Sequence, residues 1–220
     1  MEKDLCKECE KQIQYCVCSS VESTKVGTFV LVLRHPQEAD KDLGTAPIIS
    51  KILGTRAVVR TGLSWPNLET ALKGTKAPLP GSSKNWAVLF LGSQKSYGKV
   101  SFENNAHSAL VFLDKNGKPL PEQEDLKGLI CGLVVLDGSW DQAKALWWRN
   151  PWLLKLKRVV LVPKAESQYG NLRKEPRKEC LSTLESVAYS ISALESRTDH
   201  EPYFLKPFQE LLEKFKKNNT

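Results

Sequence analysis

Long apolar runs are missing from this sequence, and no stretch approaches the length that crossing a bilayer requires. The N-terminus, MEKDLCKECEKQ, is charged from its second residue and lacks the apolar stretch of a signal peptide. Internal repeats and low-complexity linkers are also missing. We therefore expect a cytoplasmic protein that does not bind membranes, in which the six cysteines are thiols or metal ligands rather than disulfides.

The 220 residues, 41% of them hydrophobic, are enough to bury a core and suggest one α/β domain with a small appendage. Short apolar runs alternate with helical patterns, which predicts a mostly parallel sheet with helices on both faces. The predicted strands are 26–33, 56–60, 86–91, 108–113, 129–136 and 157–162. The predicted helices are 37–53, 121–128, 140–148, one that begins after Ser182, where Ser182 and Glu185 predict a capping box, and one that begins at Pro207.

Basic residues are concentrated between Lys144 and Lys178, where ten Lys or Arg stand against two Glu. This segment carries +8 in a chain of net charge +7, so the remainder is close to neutral. Four of the six tryptophans lie in or just before it: Trp140, Trp147, Trp148 and Trp152. Because basic side chains neutralise phosphates and aromatic rings stack on unpaired bases, the segment indicates a single-stranded or looped RNA partner. A solvated basic face with the tryptophans in the core explains the composition equally well.

The N-terminal cysteines Cys6, Cys9, Cys16 and Cys18 have the spacing C-x2-C-x6-C-x-C. Two close pairs joined by a short loop can place four thiolates at the corners of a tetrahedron, which is how structural zinc is held. Reduced cysteines without a metal are the alternative, but exposed thiols in such a cluster oxidise readily. We expect a zinc ion with no open coordination position, and therefore a structural site.

The stretch 129–152, LICGLVVLDGSWDQAKALWWRNPW, combines the strongest structural and chemical signals. Residues 129–136 are apolar and rich in β-branched side chains, as expected for a strand buried on both faces. A carboxylate, a glycine, a hydroxyl and a tryptophan follow at 137–140, and Ser139 with Gln142 predicts a capping box for the next helix. Ligands of open α/β sheets bind at the carboxyl ends of strands, next to helix N-termini. We expect the active site here.

Other strand ends also carry polar or small residues. Arg34 and His35 follow the first strand, and the residues alone favour a locally hydrogen-bonded histidine in a turn over a functional one. Gly92 and Ser93 follow the third strand. The last strand leads into a polar loop at 165–180, and long loops in compact domains are usually functional or disordered.

With Asp-Gly-Ser-Trp at 137–140, the sequence resembles the DTW-domain family, whose signature is D-x-T-W, with Ser139 in place of the threonine. Further family blocks match in order: the cysteines, Arg34-His35-Pro36 with Glu38 and Thr45, the strand end VLFLGS, and residues 171–185. Gly44 stands where the family usually has Asn, and Leu91-Gly92-Ser93 replaces a Pro-Ser pair. The family looks like tRNA-uridine aminocarboxypropyltransferases of the SPOUT superfamily.

This resemblance implies a zinc-binding segment at 1–24 and a SPOUT-like catalytic domain at 25–220 with a C-terminal trefoil knot. It also implies S-adenosylmethionine as the co-substrate, bound in the knot by three loops. The residues that map to these loops are Leu91, Gly92, Ser93, Leu136, Gly138, Ser139, Trp140, Leu161, Pro163, Ser182 and Thr183.

The reaction that the resemblance implies is transfer of the 3-amino-3-carboxypropyl group to N3 of a uridine in tRNA. That nitrogen is mostly protonated at neutral pH, so a base must remove its proton. Asp137 is the only carboxylate in the signature and is assigned as the general base, although it could also cap the helix behind it. The residues expected to bind the substrate are Arg34, His35, Lys144, Trp147, Arg149, Arg173 and Arg177.

Two other functions are compatible with the same sequence. A SPOUT-type RNA methyltransferase would share the fold and the co-substrate but transfer the methyl group. A non-catalytic, zinc-containing RNA-binding module would explain the cysteines, the basic segment and the tryptophans without any role for Asp137. The mass of the product distinguishes methyl transfer from aminocarboxypropyl transfer. Binding of S-adenosylmethionine counts against the non-catalytic module.

Overall fold

Six strands form one sheet in the computed structural model, which describes residues 4–39, 41–75, 81–89, 109–162, 165–170, 172 and 181–219. The strands are β1 Phe29–Arg34, β2 Ala57–Thr61, β3 Trp86–Leu89, β4 Ala109–Leu113, β5 Gly132–Asp137 and β6 Lys157–Val162. Their order across the sheet is β2-β1-β5-β3-β6-β4. Every neighbouring pair is parallel except β4 and β6. The prediction of a mostly parallel sheet is confirmed.

Helices cover both faces of this sheet. They are α1 Ala46–Leu53, α2 Leu68–Leu72, α3 Gln123–Leu129, α4 Trp140–Arg149, α5 Thr183–Glu195 and α6 Glu201–Asn219. One face packs against α1, α5 and α6, with side chains from the N-terminal cysteine segment in the same core. The other face packs against α2, α4 and the 3-10 turn Pro151–Lys155. We call them the α5 face and the α4 face.

Two predicted helices have different starts in the structure. The first is a helix only over Ala46–Leu53, because the polar stretch before it has no apolar side to bury, whereas Ile48, Ile49 and Ile52 are fully buried. The last begins at Glu201 rather than at Pro207. An interior proline costs about 3 kcal/mol. Phe204, which only the longer helix includes, is fully buried, and its burial offsets this cost by about 1.5–3 kcal/mol.

The central strand also begins later than predicted. Leu129 ends α3 and is half exposed, and β5 starts at Gly132. Gly132 is required where it stands, since a Cβ there would lie 2.4 Å from the Trp86 ring on the neighbouring strand. In the described ranges, the helices are too short or too polar to span a membrane.

Candidate active site and cysteine cluster

Two charged side chains end the adjacent strands β1 and β5. Alternate residues of a strand point to opposite faces. Val32 and Val135 lie in the core of the α5 face, so Arg34 and Asp137, two residues further along, point to that face as well. The two are register partners across the parallel pair. Arg34 is 7% and Asp137 4% exposed, so both charges lie under the surface at the carboxyl edge of the sheet.

The Asp137 carboxylate is held by the start of α5. The Thr183 hydroxyl donates a hydrogen bond to Asp137 Oδ1. Ser182 caps α5 through a reciprocal capping box with Glu185, as predicted, and the next amide, Leu184 N, donates to Thr45 Oγ1 at 3.2 Å. The positive end of the α5 dipole therefore lies beside Asp137 and favours negative charge there.

Arg34 and His35 make defined contacts of their own. Arg34 Nε donates to Thr61 Oγ1 at 2.8 Å, and Nη1 donates to Glu10 Oε2 at 2.6 Å. His35 Nδ1 accepts from Gln37 N at 3.3 Å and caps the short turn Pro36–Glu38. This is the local hydrogen bond that the residues alone favoured for His35.

Two more charged groups are buried near this edge. Glu38 is 2% exposed and pairs with Lys41. Lys11 is also 2% exposed, and its Nζ donates to the Lys41 carbonyl at 2.8 Å. Burial lowers the pKa of Lys11 to about 8, against the opposing fields of nearby acidic groups that include Asp137. Buried ionisable groups gathered in this way are characteristic of functional sites.

The capping box at the start of α4 is also confirmed. Ser139 Oγ accepts from Gln142 N at 3.4 Å, and Gln142 Oε1 accepts from Ser139 N at 2.7 Å. A Cβ on Gly138 would lie 2.8 Å from the Gln142 Cβ, so the capping glutamine itself requires a glycine there. Ser139, and not Asp137, caps α4.

The tryptophans of the basic segment divide into buried and exposed pairs. Trp147 and Trp152 are 8% and 6% exposed and pack on the α4 face. Trp140 and Trp148 are 43% and 74% exposed. They lie eight residues apart on α4 with Lys144 between them, and Lys144 Nζ is 4.1 Å from the Trp140 ring centroid. Arg149, at the end of the helix, is exposed.

Of the other residues assigned to the co-substrate, Leu136 is buried on the α4 face, Leu161 is half-buried on β6, and Ser182 is buried at the α5 cap. Six of the assigned residues lie outside the described part of the chain: Leu91, Gly92, Ser93, Pro163, Arg173 and Arg177.

The four N-terminal cysteine sulfurs form a compact cluster. Cys6 Sγ and Cys18 Sγ are 3.7 Å apart, Cys9 Sγ and Cys16 Sγ are 3.8 Å apart, and all four lie within 4.8 Å of one another. A tetrahedral ion with metal–sulfur bonds of about 2.3 Å needs sulfurs about 3.8 Å apart. The cluster could therefore hold a metal ion. Hydrogen bonds from the backbone at Cys9 and Glu8 lower the pKa of Cys6 to about 6, which favours the thiolate.

The cluster is fixed to the rest of the chain on several sides. Lys214 of α6 donates to the Cys16 carbonyl at 2.5 Å, and Gln12 Nε2 donates to Asp42 at 2.7 Å. Cys9 and Val17 are fully buried in the core of the α5 face. The cysteine segment, residues 4–18, therefore packs on the same face as Asp137.

The family model for the DTW domain matches residues 3–216, nearly the whole chain. The chain belongs to the DTW-domain family. It is 27% identical over 212 residues to tRNA-uridine aminocarboxypropyltransferase 2 of Drosophila melanogaster, across 95% of this chain and 74% of that protein. The Macaca fascicularis protein of the same name is 26% identical over 209 residues, across 94% of this chain and 61% of its own.

A plant relative extends this similarity. The tRNA-uridine aminocarboxypropyltransferase A of Arabidopsis thaliana is 24% identical over 208 residues, across 88% of this DTW-domain chain and 73% of its own. No solved structure matches the chain.

Sequence reasoning missed two residues of this DTW-domain site. Glu38 was part of a matching family block but received no role, and only its burial distinguishes it from a surface acid. Lys11 lies between Cys9 and Cys16 in a polar stretch that normally predicts exposure. No local signal could have found it, because it is buried by contact with the turn at residues 38–44, about thirty residues away.

Proposed function

We propose that this DTW-domain protein transfers the 3-amino-3-carboxypropyl group of S-adenosylmethionine to N3 of a uridine in tRNA. The names of its relatives in fly, macaque and plant support this activity. The observation that carries the proposal is the placement of Asp137. The only carboxylate of the DTW signature is buried at the carboxyl end of β5, held by Thr183 at the N-terminus of α5.

Asp137 is proposed to act as the general base. Its carboxylate takes the proton from uridine N3, and the freed nitrogen lone pair attacks the methylene carbon that joins the chain to the sulfonium. The carbon–sulfur bond breaks as the carbon–nitrogen bond forms, and the bonding pair returns to sulfur to give a neutral thioether. The Thr183 hydroxyl orients the carboxylate for this step.

The co-substrate is proposed to lie at the carboxyl edge against residues 136–140 and 182–183, with 91–93, Leu161 and Pro163 completing the site. Gly138 and Ser139 present backbone at the start of α4, and the start of α5 lies opposite. Trp140, 43% exposed beside them, offers a ring for the adenine. Arg34 would face the co-substrate or the RNA from β1.

The strand order supports a trefoil knot in the C-terminal half. The end of β3 and the start of β4 stand at the carboxyl edge on opposite sides of the end of β6. At the same edge, the end of β6 lies on one side of β3. The start of α5 lies on the other side of β3, beside Asp137 of β5. Ordinary folds avoid an order in which the ends of two connections alternate along one edge of a sheet. We propose that the SPOUT knot accounts for this order.

The tRNA is proposed to approach along α4. Lys144 and Arg149 supply positive charge next to the exposed rings of Trp140 and Trp148. Because Trp147 is packed into the core, Trp148 is the better candidate for stacking on an unpaired base. Arg173 and Arg177 would meet phosphates or the carboxylate of the transferred group, and His35 would border the same edge.

The cysteine cluster is proposed to hold one structural zinc, which fixes the segment 1–24 to the catalytic domain 25–220 of a cytoplasmic enzyme. All four cysteines serve as ligands and leave no position for a substrate, so the ion has no part in the transfer step.

Nucleoside mass spectrometry of tRNA incubated with the protein and S-adenosylmethionine tests the proposal. The expected product is a uridine heavier by the aminocarboxypropyl group, formed with one equivalent of methylthioadenosine. A uridine heavier by one methyl group would instead identify a methyltransferase. Unmodified tRNA, bound by a protein that does not bind S-adenosylmethionine, would identify an RNA-binding module.

A further inference from the structure

Lys11 is a buried cation whose ammonium has more hydrogen-bond donors than its contacts use. Only 2% of the residue is exposed. Among the described residues its ammonium donates to one acceptor, the Lys41 carbonyl, and no carboxylate is close enough to form an ion pair. An ammonium can donate three hydrogen bonds, and burying it is costly, a cost that the fields of Cys9, Asp42 and Asp137 offset only in part.

Two sets of contacts connect Lys11 with the Asp137 side of the sheet. Its neighbour Glu10 pairs at 2.6 Å with Arg34, the register partner of Asp137 on β1. The Lys41 carbonyl that Lys11 contacts also accepts from Gly44 N at 3.0 Å. The following residue, Thr45, accepts from the amide next to Thr183, which holds Asp137.

Gly44 makes room for the ammonium itself. A Cβ built on Gly44 would lie 3.4 Å from Lys11 Nζ and 3.2 and 3.3 Å from the carbonyl oxygens of Lys41 and Glu38, so a residue larger than glycine would crowd the charge. An anionic group is of the right sign to use the remaining donors.

We infer that Lys11 is an anion-binding residue of the active site, and that its ammonium holds the carboxylate of the 3-amino-3-carboxypropyl group. This inference rests on the proposed function. It gives the cysteine segment a role beyond stability, because the loop between Cys9 and Cys16 places a positive charge within the field of Asp137. It also explains how a sulfonium could be oriented with its amino-acid chain, rather than its methyl group, towards the base.

The test is calorimetric binding of two ligands: S-adenosylmethionine and its decarboxylated form, which has the same sulfonium and adenosine but no carboxylate. The parent should prefer S-adenosylmethionine. Lys11→Gln retains a donor for the Lys41 carbonyl but not the charge, so it should lose about tenfold to a hundredfold in affinity for S-adenosylmethionine alone. Lys7→Gln, at an exposed position of the same segment, is the matched control and should keep the parental preference.

Metal content and melting temperature are measured on each variant, and Lys11→Arg, which keeps a positive charge, should keep most of the preference. A parental preference in folded Lys11→Gln would overturn the inference while leaving the transferase proposal in place. So would a parent that binds both ligands equally, a result that needs no variant to fold. A parent that binds neither ligand and modifies no tRNA would overturn the proposed function together with this inference.

Discussion

Asp137 shows how neighbouring residues determine what a carboxylate can do. The hydroxyl of Ser139 caps α4, so Asp137 is not needed for that helix. Thr183 donates to one carboxylate oxygen, and the α5 N-terminus stabilises negative charge nearby. A carboxylate that is buried and oriented, beside a helix end that favours its charged form, has the properties of a general base.

Replacing Asp137 with Asn tests this role. The amide has nearly the same shape and can keep the contact with Thr183, but it cannot take a proton. We expect Asp137→Asn to bind S-adenosylmethionine and tRNA almost as the parent does and to lose roughly a hundredfold or more in single-turnover transfer. Asp141→Asn, at an exposed position of α4, is the control and should remain active. Near-parental turnover in Asp137→Asn would remove Asp137 from catalysis, and a collapse in melting temperature would make it a structural residue.

At the scale of elements, the cysteine segment is expected to depend on its metal. Elemental analysis should find close to one zinc per chain, and Cys9→Ser should lose most of it, because one of four ligands is gone. The melting temperature should fall, since the segment packs against α6 through Lys214. Cys131→Ser, outside the cluster, should retain the zinc. A metal-free parent, or a Cys9→Ser variant with unchanged metal and stability, would contradict the assignment.

Replacing each of the two tryptophans at the end of α4 should change a different property of the protein. Trp148→Ala should weaken tRNA binding by about tenfold with the melting temperature unchanged, because an exposed ring that stacks on a base contributes about 1–3 kcal/mol. Trp147→Ala should instead lower the free energy of unfolding by about 3–5 kcal/mol, because its ring is buried in the α4-face core.

Filter binding at several salt concentrations, with parallel thermal melts, distinguishes these effects. Leu129→Ala, an exposed apolar residue at the opposite edge of the sheet, should change neither property. Unchanged tRNA affinity in Trp148→Ala, or binding that does not weaken as salt rises, would show that this helix does not face the RNA.

Stability of the whole molecule should depend on pH through His200. This histidine is fully buried between α5 and α6, its Nε2 lies 3.2 Å from Ser192 Oγ, and burial lowers its pKa. The unfolded chain therefore binds a proton more readily than the folded one, so the stabilisation is present above the unfolded pKa of about 6.5 and is lost as pH falls below it.

Denaturant unfolding between pH 7.5 and 5.5 measures this effect. His200→Gln can keep a hydrogen bond to Ser192 but does not titrate, so its free energy of unfolding should fall less steeply over that range than the parent's. Equal slopes for the two proteins would show that His200 does not control the acid sensitivity.

Whether a sequence prediction was confirmed depended on how far apart along the chain the interacting residues lie. Both capping boxes were found from their spacing, because a cap joins residues only three apart. The strand ends and Asp137 at the carboxyl edge followed from apolar runs and the general rule for α/β sheets. The start of α6 was placed wrongly because Pro207 signals a helix start locally, whereas buried Phe204 extends the helix through it.

By itself, the sequence determined which residues bear chemistry and the local structure that presents them: the cysteine spacing, the Asp137 signature, the α4 and α5 caps and the buried strands. These are properties of neighbours along the chain, where side-chain period and backbone geometry act directly. The tertiary structure alone decided the strand order, the burial of Trp147 rather than Trp148, the pairing of Arg34 with Asp137 and the burial of Lys11. These features depend on packing between segments that lie tens of residues apart along the chain, and no single stretch of the sequence encodes that packing.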